Sequence, residues 1–311
     1  MARHLGPRRR SAARRCGGQP RWRILGSAWL LLLAIGLSPS AQAGALISII
    51  IDDLGYAWTE GRAAIALPGA VACSFLPDAP RTRELAQIAH NAGKEVLVHL
   101  PLQPVAGPVH PLALAASQPA AQRHAQLERL LDAVPYAVGV NNHQGSSATA
   151  SRSMMHWLMR ELSLRRVGYF VDSMTSAQSI AYPMARAYGI AATRRRVFLD
   201  HERGFAAVRV QFQRLIAMAQ KRGAALAIGH PHPETLAVLA EQLPHLAELG
   251  IELVPPSEFI ARSESGVPLH PVHLRLSPSL DAPPPAPPRQ IPPLPAAAAA
   301  GTQSRSPLSA R

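Results

Sequence analysis

The chain has 311 residues, 48% of them hydrophobic, with 32 Lys and Arg against 19 Asp and Glu and a formal charge of +13. Eight of those cations are arginines before residue 44, where no acid occurs, so the rest of the chain carries 24 against 19, a net of +5. A surplus that small argues against a nucleic-acid partner and is compatible with an acidic envelope polymer.

Residues 1–43 combine a basic start, an apolar run from Ile24 to Leu37 and the small-residue site Ala41-Gln42-Ala43. This is the pattern of an export signal, cleaved after Ala43, because the apolar run is shorter than the roughly 20 residues a spanning helix needs. The expected location is the periplasm or outside the cell. An uncleaved anchor is the alternative, and it would be the chain's one membrane contact. Cys16 lies in this segment, which leaves Cys73 alone. No intramolecular disulfide can then form in the mature chain, and Cys73, within VACSFLP, reads as a small buried hydrophobe.

Residues 45–261 have the size of one domain. They open on IIIDDLGY, an aliphatic run rich in isoleucine that ends at Asp52 and Asp53. The run reads as a strand buried on both faces, with two carboxylates at its carboxyl end. Adjacent carboxylates repel in a partly buried place, and a cation held by one would relieve the repulsion while leaving the other free as a base. A helix N-cap with an acidic first turn is the other reading. Alternation then continues through strand VACSFLP, helix 81–93, strand EVLVHL, helix 122–134, strand AVGVNNH, helix 151–164, strand GYFVDS, a short helix 182–188, strand VFLD, helix 205–222, strand ALAIGH, helix 234–249 and strand IELV. Such alternation implies parallel strands joined by right-handed crossovers. Seven or eight of them in one domain favour a (β/α) barrel over a doubly wound sheet. From Arg262 the chain turns Pro- and Ala-rich without apolar periodicity, so residues 262–311 are expected to be a disordered tail, or else a spacer or docking strip.

The strands end on chemistry. EVLVHL reaches His99, AVGVNNH reaches Asn141, Asn142 and His143, GYFVDS reaches Asp172 and Ser173, VFLD reaches Asp200, and ALAIGHPHP reaches His230 and His232. A lone strand-end histidine is usually polar punctuation, and Asp172 or Asp200 could simply cap the next helix. All parallel strands open on one face, however, and this many ligand-type residues in one mouth mark a site where Asp53, His99 and His143 can converge. One carboxylate and two imidazoles suit zinc or another borderline divalent ion with a position left open, and such an ion generates a nucleophile at neutral pH. That points to hydrolysis.

IIIDDLGY, VACSFLPDAP, EVLVHLPLQP, GVNNHQGSSAT, GYFVDSMTS, VFLDH and AIGHPHPETL together resemble the divergent polysaccharide deacetylase family, a remote branch of the NodB-type carbohydrate esterases. The resemblance implies a distorted NodB-like (β/α) barrel and removal of acetyl groups from an acetylated polysaccharide or peptidoglycan. It also implies Asp52 as base, Asp53 and His99 as ligands, and His230 as the acid that protonates the leaving amine. Ordinary members of the superfamily take both histidine ligands from His-x-x-x-His, but four residues after His99 stands Gln103. His143 is therefore the candidate for the second imidazole. Asn142, Asp172, Ser173 and His232 are expected behind the site or against substrate, with Asp172 and His232 orienting base and acid. The long proline-rich connection 100–119 is expected to wall the cleft or to be a plain surface excursion. A non-catalytic envelope protein that binds glycan or a partner is the competing reading, and the retained residue set favours the enzyme.

Overall fold

The computed structural model describes residues 44–264. The expected export signal and most of the expected tail lie outside the described residues. In chain order the elements are β1 (Ala45–Leu54), α1 (Trp58–Ile65), β2 (Ala72–Phe75), α2 (Thr82–Asn91), β3 (Val96–Leu102), α3 (Ala120–Asp132), β4 (Ala137–Gln144), α4 (Arg152–Leu164) and β5 (Tyr169–Asp172). There follow α5 (Ala181–Ala187), β6 (Ala191–Arg194), β7 (Val197–Phe198), α6 (Phe205–Arg222), β8 (Ala224–Gly229), α7 (Pro233–Gln242), β9 (Ile251–Leu253) and α8 (Pro256–Ser263).

Eight parallel strands run in the order β6-β5-β4-β3-β2-β1-β8-β7, and β9 pairs with the start of β1. The sheet curls so that alternate side chains face inward. Leu46 and Ile50 of β1 share an inner cluster with Leu97, Tyr169, Val171, Leu226 and Ile228, whereas Ile47, Ile49 and Ile51 pack outward under the helices. Both faces of β1 are thus buried, which is why its sequence is a continuous aliphatic run rather than an alternating one. Phe259 and Ile260 of α8 join the inner cluster. They close the end from which β1 and β3 start, where Tyr169 Oη and Ser257 donate to Glu95.

The expected barrel is present, with one irregularity. Among the described residues no ladder joins β6 to β7, and the seam is spanned by two residues, with Arg195 N donating to Asp172 O at 2.9 Å and Arg196 N to Leu226 O at 2.8 Å. The polar Thr193–Arg196 stretch thus holds the end of a strand and the seam, and VFLD shrinks to the two residues of β7. The last long helix is also shorter than expected, because Pro244 breaks the ladder and the chain continues as two short 3-10 turns. Regular structure continues past Ala261. α8 runs to Ser263, Arg262 pairs with Glu252 and Glu258, and Glu264 accepts from Tyr182 Oη at 2.7 Å and Thr193 Oγ1 at 3.0 Å.

Candidate metal centre

The mouth at the carboxyl ends of the strands begins with a break in alternation. Asp52 points inward as the register dictates, and Asp53 should point outward, but its φ of 56° puts it in the left-handed region and the β1–β2 register shifts between Ile51 and Leu54. Two consecutive carboxylates therefore serve one cleft. Gln144 and Met174, also at strand ends of this face, have φ of 53° and 51°. Non-glycine residues held in this region are costly, and they concentrate where a site demands them.

His99 and Asn141 are register partners on neighbouring strands, and His143 stands two residues after Asn141 on the same face. This brings Asp53 Oδ1 to 2.9 Å from His143 Nδ1 and 3.2 Å from His99 Nε2, with the two ring nitrogens 3.2 Å apart. Donor atoms bound tetrahedrally at about 2.0–2.2 Å lie roughly 3.3–3.6 Å from one another. The three atoms therefore have nearly the spacing of a ligand set. Asp53 Oδ1 is buried and makes no well-directed hydrogen bond, despite its two imidazole neighbours. A buried carboxylate oxygen left in this way is a poor structural feature and a good metal ligand.

Asp52 is buried beside this focus, with Oδ2 3.6 Å from His99 Nε2 and Oδ1 accepting from Asn141 Nδ2 at 2.8 Å. Burial raises its carboxyl above the usual carboxylate range, against the opposing influence of His99, His230 and Asn141. At Asp53 burial acts in the same direction, but His143 and His99 overcome it and hold the carboxyl well below that range. At His99 burial opposes the imidazolium, and Asp52 and Asp53 outweigh it, so its pKa is raised.

On the other side, His230 Nε2 lies 3.7 Å from Asp53 Oδ2 while its Nδ1 is 2.9 Å from Asp200 Oδ1. Burial would lower the pKa of His230, but the Asp200 hydrogen bond and the charges of Asp53 and Asp52 push it up to about 9. Asp200, His230 and His232 also lie close enough to hold an ion. Both Asp200 oxygens are already occupied, Oδ1 by His230 Nδ1 and Oδ2 by His230 N at 2.6 Å and Thr235 Oγ1 at 2.9 Å. That group is therefore a hydrogen-bonded support for His230.

Of the other expected residues, Ser173 is in the site's immediate backing: its Oγ lies 3.4 Å from Asn141 Nδ2 and its carbonyl accepts from Arg195 Nε at 2.6 Å. Asn142 is not turned to the cleft, because it clamps the β4 and β5 ends through Ser173 N at 2.9 Å and Gln144 O at 2.8 Å. Asp172 does not orient base or acid. By strand alternation it faces away, where it accepts from Met174 N, Ser179 Oγ and Tyr182 N at 2.9, 2.7 and 3.2 Å and so secures the entry to α5. His232 stands at the N-cap of α7 with its ring 5.7 Å from that of His230. Sequence reasoning placed Asn141 and Asp200 at strand ends without giving them a supporting role, and it missed Ser74, Arg195 and His110. Arg195 lies over Phe198 and donates to the carbonyls of Ser173 and Met174, and the charges of Asp52, Asp172 and Asp200 favour its charged form against burial. His110 brings segment 103–119 against the cleft, its ring 5.5 Å from that of His143.

A curled parallel α/β barrel whose mouth gathers a carboxylate and two imidazoles defines the class of this protein. The chain belongs to the divergent polysaccharide deacetylase family, which residues 49–260 match. It is similar to the uncharacterized protein YibQ of Escherichia coli K12, 39% identical over 216 residues that cover 68% of this chain and 66%, just under two thirds, of that one. An uncharacterized protein of Haemophilus influenzae is 36% identical over 226 residues, covering 69% and 80% of the two chains. Among solved structures, the crystal structure of the uncharacterized protein ATU2773 from Agrobacterium tumefaciens C58 has a TM-score of 0.65 at 27% identity, over 69% of this chain and 89% of that one.

Proposed function

We propose that this protein is an exported, metal-dependent hydrolase that removes N- or O-linked acetyl groups from an envelope or extracellular glycan. The observation that carries the reading is the common focus of Asp53 Oδ1, His99 Nε2 and His143 Nδ1, with a second, unshared carboxylate beside it. These three residues would hold a divalent cation, and their donor set suits zinc. Such a cation, when bound, supplies the Lewis acidity that makes a water nucleophilic at neutral pH and polarises an acetyl carbonyl.

The chain's own residues supply the proton transfers. Asp52 Oδ1 is engaged by Asn141, which leaves Oδ2 to take the proton of the attacking water, and a carboxyl raised by burial is a stronger base than an exposed one. Asp200 holds His230 Nδ1 and, with Asp53 and Asp52, favours the charged imidazole, so Nε2 on the cleft side would carry the proton for the leaving nitrogen or oxygen. Membership of the family supports a glycan substrate, and the composition of residues 1–43 supports export.

The test is metal analysis of the purified protein followed by an assay of acetate release from acetylated peptidoglycan fragments. One equivalent of metal is expected, with release abolished by chelation. Asp53→Asn should lose the metal, whereas Asp52→Asn should keep it and lose activity by about 10²- to 10⁴-fold, as for a general base. Protein without metal, or equal metal loss in the two variants, would overturn the assignment.

A further inference from the structure

We propose that Asn141 is a positioning residue that selects the metal-competent tautomer of His99 and, with the same amide, fixes the orientation of Asp52. This rests on reading Asp53, His99 and His143 as a metal centre. Asn141 is fully buried, and its side chain uses its whole hydrogen-bonding capacity. Oδ1 accepts from Ser74 Oγ at 2.6 Å and lies 2.9 Å from His99 Nδ1, while Nδ2 donates to Asp52 Oδ1 at 2.8 Å and reaches Ser173 Oγ at 3.4 Å.

Only one orientation of the amide satisfies these partners. Reversed, it would set oxygen against the Asp52 carboxylate and present N–H groups to His99 Nδ1, leaving buried groups unpaired. With Nδ2 committed to Asp52, Oδ1 must face His99, whose Nδ1 then carries the hydrogen. Nε2 is left with its lone pair directed at Asp53 Oδ1 and His143 Nδ1, each 3.2 Å away. The other tautomer would place a hydrogen in the middle of the ligand set. The contact that holds the base is therefore also the contact that prepares the ligand, and the β3–β4 register, with His99 opposite Asn141, builds it in.

Nitrogen-15 NMR of the metal-free protein, at alkaline pH where the imidazole is neutral, reads the tautomer directly. In the wild type His99 should carry its proton on Nδ1. In Asn141→Leu that preference should disappear and zinc affinity, measured by competition with a chromophoric chelator, should fall about 10- to 100-fold, the usual effect of losing a ligand's hydrogen-bond partner. Asn141→Asp keeps an acceptor facing His99, so it should retain the tautomer, while the oxygen it sets against Asp52 Oδ1 removes the contact that orients Asp52, which separates the two halves of the role. Ser74→Ala, a smaller change that serves if Asn141→Leu does not fold, should weaken zinc binding by a lesser factor. A wild-type His99 protonated on Nε2, or an Asn141→Leu protein with unchanged tautomer and affinity, would overturn the proposal. An Nδ1 proton in a wild type that binds no metal would support the positioning role and sink the metal reading instead.

Discussion

Replacing Asp200 with asparagine should uncouple His230, the proposed acid, from its support. His230 is 21% exposed, and its pKa is moved from 6.5 to about 9 even though burial opposes the charge. A displacement of that size corresponds to roughly 3 kcal/mol. The Asp200 hydrogen bond is the largest favourable influence and its charge adds to it, with Asp53 and Asp52 supplying the rest, so the variant should lose about 1–2 kcal/mol of the total. A group whose pKa is raised on folding stabilises fully below its unfolded value, and the contribution disappears as pH rises through the folded value. The pH-dependent part of the deficit in Asp200→Asn should therefore be greatest below about pH 6.5 and gone above about pH 9. Lost bonds to Thr235 and His230 N add a part that does not vary with pH. The assay is an NMR titration of His230 in the metal-free protein, alongside denaturant unfolding at both ends of the range. An His230 that still titrates near 9, or a deficit identical at about pH 6 and about pH 10, would refute the reasoning.

Asp172→Ala should destabilise by about 1–3 kcal/mol through the N–H and O–H groups it leaves unpaired, with metal content unchanged; loss of metal would put Asp172 in the site after all. A Cβ at Gly139 would overlap the ring of Tyr169, so Gly139→Ala should lower stability by about 1–3 kcal/mol, read by denaturant unfolding. A chain ending at Ala261 should be less stable than one ending at Glu264 by about 1–2 kcal/mol, since it gives up the Glu264 bonds to Tyr182 and Thr193; equal melting temperatures would refute this.

Parallel alternation and the chemistry at strand ends were legible because both are local: an aliphatic run that stops at Asp52-Asp53 carries its own message. Strand-end chemistry alone does not say which face a residue takes. Asp172 and Ser173 are neighbours, yet strand alternation sends Asp172 away to the α5 entry while Ser173 stays behind Asn141. Asp53 reaches the cleft only because its backbone leaves the β region, which no pattern of residue types announces. Asn141 was visible as a strand end, and period-2 spacing from His143 would have put it on the inner face. Its role depends on register with His99, a relation between strands 42 residues apart. β6 was hidden because its four residues, AATR, are small or polar and lack the apolar run that marks a central strand, although the first three are buried.

In the proposed metal centre the second imidazole comes from β4, and position 103 is not needed as a ligand. Position 103 lies just past the end of β3, and its backbone is committed: Gln103 N donates to Leu114 O, and its carbonyl accepts from Ser147 N and Ala148 N. These bonds tie segment 103–119 and the loop after β4 to the strand end. β4, by contrast, runs on to Gln144, with His143 opposite Pro101 and on the same inner face as Asn141. A second imidazole supplied from β4 would be carried on a hydrogen-bonded strand next to the first, and the residue two before it would serve as the common support of the proposed ligand and base. Ligands on paired strands are held by the ladder itself, which places them more rigidly than a ligand reached from a loop. The long segment after β3 stands at the cleft, where the His110 ring lies 5.5 Å from that of His143.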